Sequence, residues 1–118
     1  FELSKIAMDG MEFLEENKIT FTYITCEDEK NVNAEEGSHE GIVEIGRDID
    51  GVEVAIFLHQ AEDGQYKVSL RSNDYVNVSD VCLMFGGGGH VRAAGCKIPG
   101  TPNEIKEKIV KEISKQLK

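Results

Sequence analysis

The stretch Gly86-Gly87-Gly88-Gly89-His90-Val91-Arg92-Ala93-Ala94-Gly95 is the one around which the rest of the chain is organised. Four successive glycines remove every Cβ, which opens φ > 0 to the backbone and lets a ligand approach its N–H groups. Adjacent N–H groups in such a turn form a concave anion nest, and the imidazole of His90 can donate a hydrogen bond or a proton to the same anion. The competing reading is a flexible connection from a helix into a strand. A flexible linker continues as polar Gly/Ser chain, whereas Ala93, Ala94 and Gly95 are small and lack polar side chains. The expectation is therefore a structured loop that enters a strand.

Immediately upstream, Asn77 and Asp80 fit a cap and its reciprocal partner for a helix running to about Phe85, with Val78, Val81, Cys82 and Phe85 on one face. Gly86 then takes the C-terminal capping position. Capping leaves Gly87, Gly88 and Gly89 unexplained, which is the main sequence argument for a ligand. The loop would lie at the negative end of the helix dipole, so anion binding has to come from backbone N–H groups, His90 and arginine.

Further upstream, Val52 to Leu58 and Tyr66 to Ser72 read as two antiparallel strands joined by Ala61 to Gln65, a hairpin-length loop containing Asp63-Gly64. In the second strand Tyr66, Val68 and Leu70 face one way, and Lys67, Ser69 and Arg71 the other. Arg71, at the end of that strand, is either a surface arginine or a fork-shaped phosphate ligand. Downstream, Gly95 to Ile98 is a short strand and Pro99-Gly100 a turn. Thr101-Pro102-Asn103-Glu104 opens a helix with a hydroxyl cap, proline at the first position and a capping box. Ile105, Ile109, Ile113 and Leu117 form its buried stripe, and Lys106, Lys108, Lys111, Lys115 and Lys118 its solvated face.

In the first half, Leu3, Ile6, Ala7, Met11 and Leu14 recur at helical steps and predict a helix over residues 2–16, weakened by Gly10. Ile19 to Cys26 alternates as a strand. Glu27 to Ser38 reads as an exposed acidic loop with at most one helical turn, and Asp28, Glu29, Glu35 and Glu36 do not match a calcium loop. His39 to Ile49 is a short helix. The predicted fold class is α/β (α+β): a mixed β-sheet of about four to five strands flanked by helices, formed by residues 1–118 as a single domain.

Composition narrows the function. The 118 residues suffice for one core, burying roughly two-thirds of the unfolded surface. No apolar run approaches the roughly 20 residues that span a bilayer, and no signal peptide is evident, so a cytoplasmic location without membrane partners is expected. Cys26, Cys82 and Cys96 form no C-x-x-C pair and read as buried, reduced thiols. The net charge of −9 opposes a long phosphate-neutralising groove. Yet residues 1–63 carry 4 Lys/Arg against 17 Asp/Glu, and residues 64–118 carry 9 against 5, so the half with the glycine run is basic.

With Ser69-Leu70-Arg71-Ser72, Val78-Ser79-Asp80-Val81, His39-Glu40-Gly41-Ile42-Val43 and Ile49-Asp50-Gly51-Val52-Glu53-Val54-Ala55, the GGGGHVRAAG string resembles the DHH-associated domain of DHH-family phosphoesterases. The likeness is strongest to the branch of nano-RNases, also called oligoribonucleases or pAp phosphatases, and covers nearly the whole chain. It implies a nucleotide-binding C-terminal domain, with a catalytic DHH domain expected upstream of Phe1 and two manganese ions held there. It also implies that this chain binds neither metal nor other cofactor, carries no catalytic residue and is inactive alone. The implied substrate-binding residues are Arg71, Ser72, Gly86, Gly87, Gly88, Gly89 and His90, with Arg92 either a further ligand or an exposed residue. His39 and His59 are expected to be structural or surface residues. The implied partners are a short oligonucleotide, pAp or a related nucleotide, the protein's own DHH domain and, as an option, a second copy. Two alternatives share these motifs: a single-stranded nucleic-acid module such as serves RecJ-like exonucleases, and a cyclic-dinucleotide phosphodiesterase.

Overall fold

A computed structural model describes residues 2–32 and 38–118. Glu35, Glu36 and the His39 side chain, weighed above, lie outside what is described. The elements are α1 (Glu2–Asp9), β1 (Glu12–Leu14), β2 (Ile19–Ile24), α2 (Cys26–Val32), α3 (Ser38–Arg47), β3 (Val54–Gln60), β4 (Tyr66–Ser72), α4 (Val78–Leu83), β5 (Gly88–His90), β6 (Ala93–Ile98) and α5 (Pro102–Ser114). The mixed α+β class agrees with expectation, but the sheet has six strands, ordered β1-β2-β3-β4-β6-β5. Only β2 and β3 pair in parallel.

Both extra strands are only three residues long and exist by pairing with the strand that follows them, β1 with β2 and β5 with β6. The helix expected over residues 2–16 stops at Asp9. Beyond Gly10 the chain reverses into β1, where Phe13 and Leu14 pair with Thr20 and Ile19, through a turn in which Glu15, Glu16 and Asn17 all have positive φ. Cross-strand pairing there overrides the helical spacing of Met11 and Leu14. The acidic stretch after β2 is helical over Cys26–Val32 and not an exposed loop. Thr25 and Asp28 cap it reciprocally, each backbone N–H donating to the other's side-chain oxygen at 3.0 Å. That hydroxyl-x-x-carboxylate pattern was present in the sequence.

Alternation along β3 and β4 divides the molecule into layers. Val54, Ile56, Leu58, Tyr66, Val68 and Leu70 turn toward α4 and α5, where Val78, Val81, Ile105, Ile109 and Ile113 complete the larger core. The other face carries Ala55 and Phe57, covered by Leu3, Ala7, Ile42 and Val43 of α1 and α3. Among the described residues this second core takes in β2 and β3 but does not extend over β4, β6 and β5, and Lys67, Ser69 and Arg71 alternate onto that part of the face.

The helix starts follow local chemistry. Thr101 and Glu104 form the full capping box with Pro102 in the first turn. Asn77 caps α4 by accepting from the Asp80 N–H at 3.0 Å, but the expected reciprocal bond is replaced, because the Asn77 N–H donates to Gln116 Oε1 at 2.8 Å. Helix α4 ends at Leu83, before Phe85. Cys82 is buried as expected, while Cys26 and Cys96 are only half-buried; all three are free thiols.

Candidate functional site

Arg71, Ser69, Gly88, Gly89, His90, Ala93, Ala94 and Gly95 line one groove of about 380 Å³ at the β5 end of the sheet. Register explains the gathering. Arg71 stands opposite Ala93, and Ala93 opposite His90; Ser69 stands opposite Gly95, and Gly95 opposite Gly88. Directly opposed residues on antiparallel strands share a face, so Arg71, Ala93 and His90 form one row. Strand spacing puts the ends of that row about 10 Å apart, a gap that a guanidinium and an imidazole can bridge through one phosphate.

Arg71 is half-buried, and its Nη1 donates to the carbonyl of Leu70 at 3.0 Å. No carboxylate pairs with it among the described residues, which leaves guanidinium donors facing the groove. His90 is exposed beside it. Strand β5 ends the sheet, so its outer backbone edge has no partner strand. On that edge the Gly89 carbonyl accepts from the Ser79 hydroxyl at 3.2 Å.

The glycine run is not the loop expected from its composition. Gly86, at φ +83°, closes α4: its N–H reaches Leu83 O at 3.2 Å and the Gly87 N–H reaches Cys82 O at 2.9 Å. The following residues lie as a strand against β6. A Cβ on Gly87 would fall 2.2 Å from Gly95 O and 2.6 Å from Cys96 Cβ. Gly89, at φ +149°, would place one 2.7 Å from Ala93 O. Packing therefore accounts for two of the three glycines that capping leaves over. Gly88 is different, since a Cβ there would meet nothing nearer than Leu83 Cδ2 at 3.9 Å.

Ser72 and Arg92 are placed behind the groove. Ser72 is 4% exposed, and its hydroxyl donates to Val76 O at 2.7 Å. Arg92 Nη1 donates to Val76 O at 2.6 Å and lies 3.4 Å from Ser72 Oγ. The structure thus brings Arg71, Gly88, Gly89 and His90 together and sets Ser72, Gly86, Gly87 and Arg92 to support them. His59 lies beyond the groove at the opposite end of β3, bonded to Glu29.

The composition reading missed Glu53. This carboxylate, 7% exposed, accepts the backbone N–H groups of Asp74, Tyr75 and Val76. Asn73 was missed as well; its amide ties this turn to Arg47 O at 2.8 Å and Val52 O at 2.7 Å. Glu53 lies within the stretch of residues 49–55 that carries the family resemblance, but nothing local marks its role, because its partners come more than 20 residues later.

The family model of the DHHA1 domain matches residues 16–118. The chain belongs to the DHHA1 domain family. This DHHA1 domain is 34% identical over 95 residues to the bifunctional oligoribonuclease and PAP phosphatase NrnA of Thermus thermophilus, a match that covers 80% of this chain and 29% of that protein. It superposes on the crystal structure of an exopolyphosphatase-related protein from Bacteroides fragilis with a TM-score of 0.86 at 25% identity, over 96% of this chain and 33% of the other. A pGpG-specific phosphodiesterase, PggH from Vibrio cholerae, shares the fold with a TM-score of 0.71 at 13% identity, over 97% of this chain and 38% of that one. The DHHA1 domain therefore spans between 29% and 38% of these relatives.

Proposed function

We propose that this DHHA1 domain is the nucleotide-binding part of a phosphoesterase that hydrolyses short oligonucleotides or pAp. The observation that carries the reading is the row Arg71, Ala93, His90 on one sheet face beside Gly88. Arg71 grips phosphate oxygens in pairs. His90 donates from the far side, and Gly88, bare of a side chain, lets the phosphate approach the backbone. The similarity to NrnA supports this substrate class.

The chain's part is to bind and orient the phosphate. Among the described residues no three His, Cys, Asp or Glu side chains gather as a metal site. In this proposal manganese and the hydrolytic water belong to a DHH domain of the same protein. No described helix is long and apolar enough to cross a membrane.

Titration with pAp and with dinucleotides, followed by amide NMR, tests this reading. Shifts centred on Gly88, Gly89, His90 and the Arg71 side chain are the expected result. An unchanged spectrum at millimolar nucleotide would overturn it. Tight, steeply salt-dependent binding to long single strands in preference to short ones would instead favour a nucleic-acid module.

A further inference from the structure

We infer that Glu53 is a positioning residue for the phosphate groove. The inference rests on the proposed binding site. Glu53 immediately precedes β3 and does not line the groove, yet hydrogen bonds on either side of Val76 link it to Ser72 and Arg92, the residues that frame the groove. Its Oε2 accepts from the N–H groups of Tyr75 at 2.8 Å, Val76 at 2.9 Å and Asp74 at 3.1 Å, with Asp74 also 3.2 Å from Oε1. Three successive amides on one carboxylate wind residues 74–76 into a single turn.

That turn presents the Val76 carbonyl to two donors, Arg92 Nη1 at 2.6 Å and Ser72 Oγ at 2.7 Å. Both belong to the groove's frame. Ser72 follows Arg71, and Arg92 sits in the two-residue turn between His90 and Ala93. The turn is held again by Ser72 N–H on Arg92 O at 3.0 Å and Val78 N–H on Val91 O at 2.9 Å. Val76 O thus braces the strand end that carries Arg71 against the turn that follows His90, within the row that the strand register sets, and Glu53 holds Val76 in place.

The choice of residue type supports the role. Burying a carboxylate is costly unless its oxygens are satisfied. No lysine or arginine pairs with Glu53 among the described residues, so the backbone amides themselves hold the charge. An apolar residue would avoid the desolvation cost but leave three N–H groups of the turn without this acceptor.

The test compares wild type, Glu53→Gln, Arg92→Ala, the double variant and Arg71→Ala for pAp affinity, well below each protein's unfolding temperature. Glu53→Gln keeps the side-chain length and one oxygen for the amides, but removes the charge and sets an NH2 group where Oε1 faces the Asp74 N–H. We expect it to fold cooperatively and lose ten-fold or more in affinity, with Glu53→Asp recovering part of the loss. The Glu53→Gln/Arg92→Ala pair should lose little more than either alone, because both act through Val76 O. Wild-type affinity in a folded Glu53→Gln, or losses that simply multiply, would overturn the inference while leaving the Arg71 site standing. Failure of wild type to bind pAp would remove the binding site itself and this inference with it. Should Glu53→Gln not fold, the amide resonances of residues 74–76 decide: they must move when wild type binds pAp and when Arg92 is replaced, and their silence in both cases refutes the relay.

Discussion

Arg71 and His90 stand at the two ends of one cross-strand row, with Ala93 of β6 between them. The methyl group of alanine keeps the middle of that row low, and in the proposed site a phosphate resting on it would meet a guanidinium on one side and an imidazole on the other. Arg71→Ala should therefore weaken pAp binding about 10- to 100-fold, the range of a lost charge-assisted pair. Arg71→Lys should recover only part of this, because an ammonium cannot form the bidentate fork. His90 is exposed, so His90→Ala should bind more weakly with an unchanged unfolding temperature. Calorimetric titration alongside thermal unfolding checks both, and wild-type binding in either alanine variant removes that residue from the site.

Neighbouring glycines should respond in opposite ways. Gly87→Ala drives a methyl into Gly95 O at 2.2 Å and should destabilise the fold, by about 1–3 kcal/mol if the strands can shift. Gly88→Ala has room, so its unfolding midpoint should stay near wild type while nucleotide affinity falls. Urea unfolding and pAp titration of the two variants separate packing from binding. Equal destabilisation by both would contradict this division.

Thiol chemistry behind β5 is expected to be ordered. Contact with Cys96, together with burial, pushes the Cys82 thiol well up, while the bond donated by Cys82 holds Cys96 down against the opposing effect of burial. As pH rises, Cys96 is the first of this pair to become thiolate, and it is also the more exposed. Brief iodoacetamide treatment near pH 8 should mark Cys96 well before Cys82, which reacts on unfolding. Mass spectrometry of the labelled peptides reads the order, and preferential marking of Cys82 in the folded protein would refute it.

The start of α5 should loosen in acid. Bonding to the Thr101 backbone and hydroxyl holds the Glu104 carboxyl below its ordinary value. A lowered folded-state pKa means the charged form is favoured by folding. The stabilisation is present above the ordinary glutamate range and is lost as pH falls through the depressed value. An NMR titration of Glu104 should show this, and Thr101→Ala should return the carboxyl toward the ordinary range.

Much of the architecture was legible because it is local. The alternation of Tyr66 to Ser72, the Thr101 box, the Asn77 cap and the Asp63-Gly64 hairpin each lie within a few residues, where propensity and hydrogen bonding act directly. The GGGGHVRAAG string, taken with residues 69–72 and the other quoted stretches, likewise pointed to the family. Strands β1 and β5 were not legible: three residues each carry too little pattern, and β1 exists only because β2 pairs with it.

By itself, then, the amino-acid sequence determined the helix caps, the hairpin, the faces of β4 and the presence of Arg71 and His90 as candidate ligands. Only the tertiary structure decided which glycines serve packing and which serves space, since that depends on how closely Gly87 approaches Gly95 and Cys96 on another strand. It also moved Ser72 and Arg92 from the groove to its frame and revealed Glu53 behind them. The physical reason is that these roles are contacts made across strands and turns, from Gly87 against the neighbouring strand to Glu53 on amides more than 20 residues later, and no local spacing encodes them.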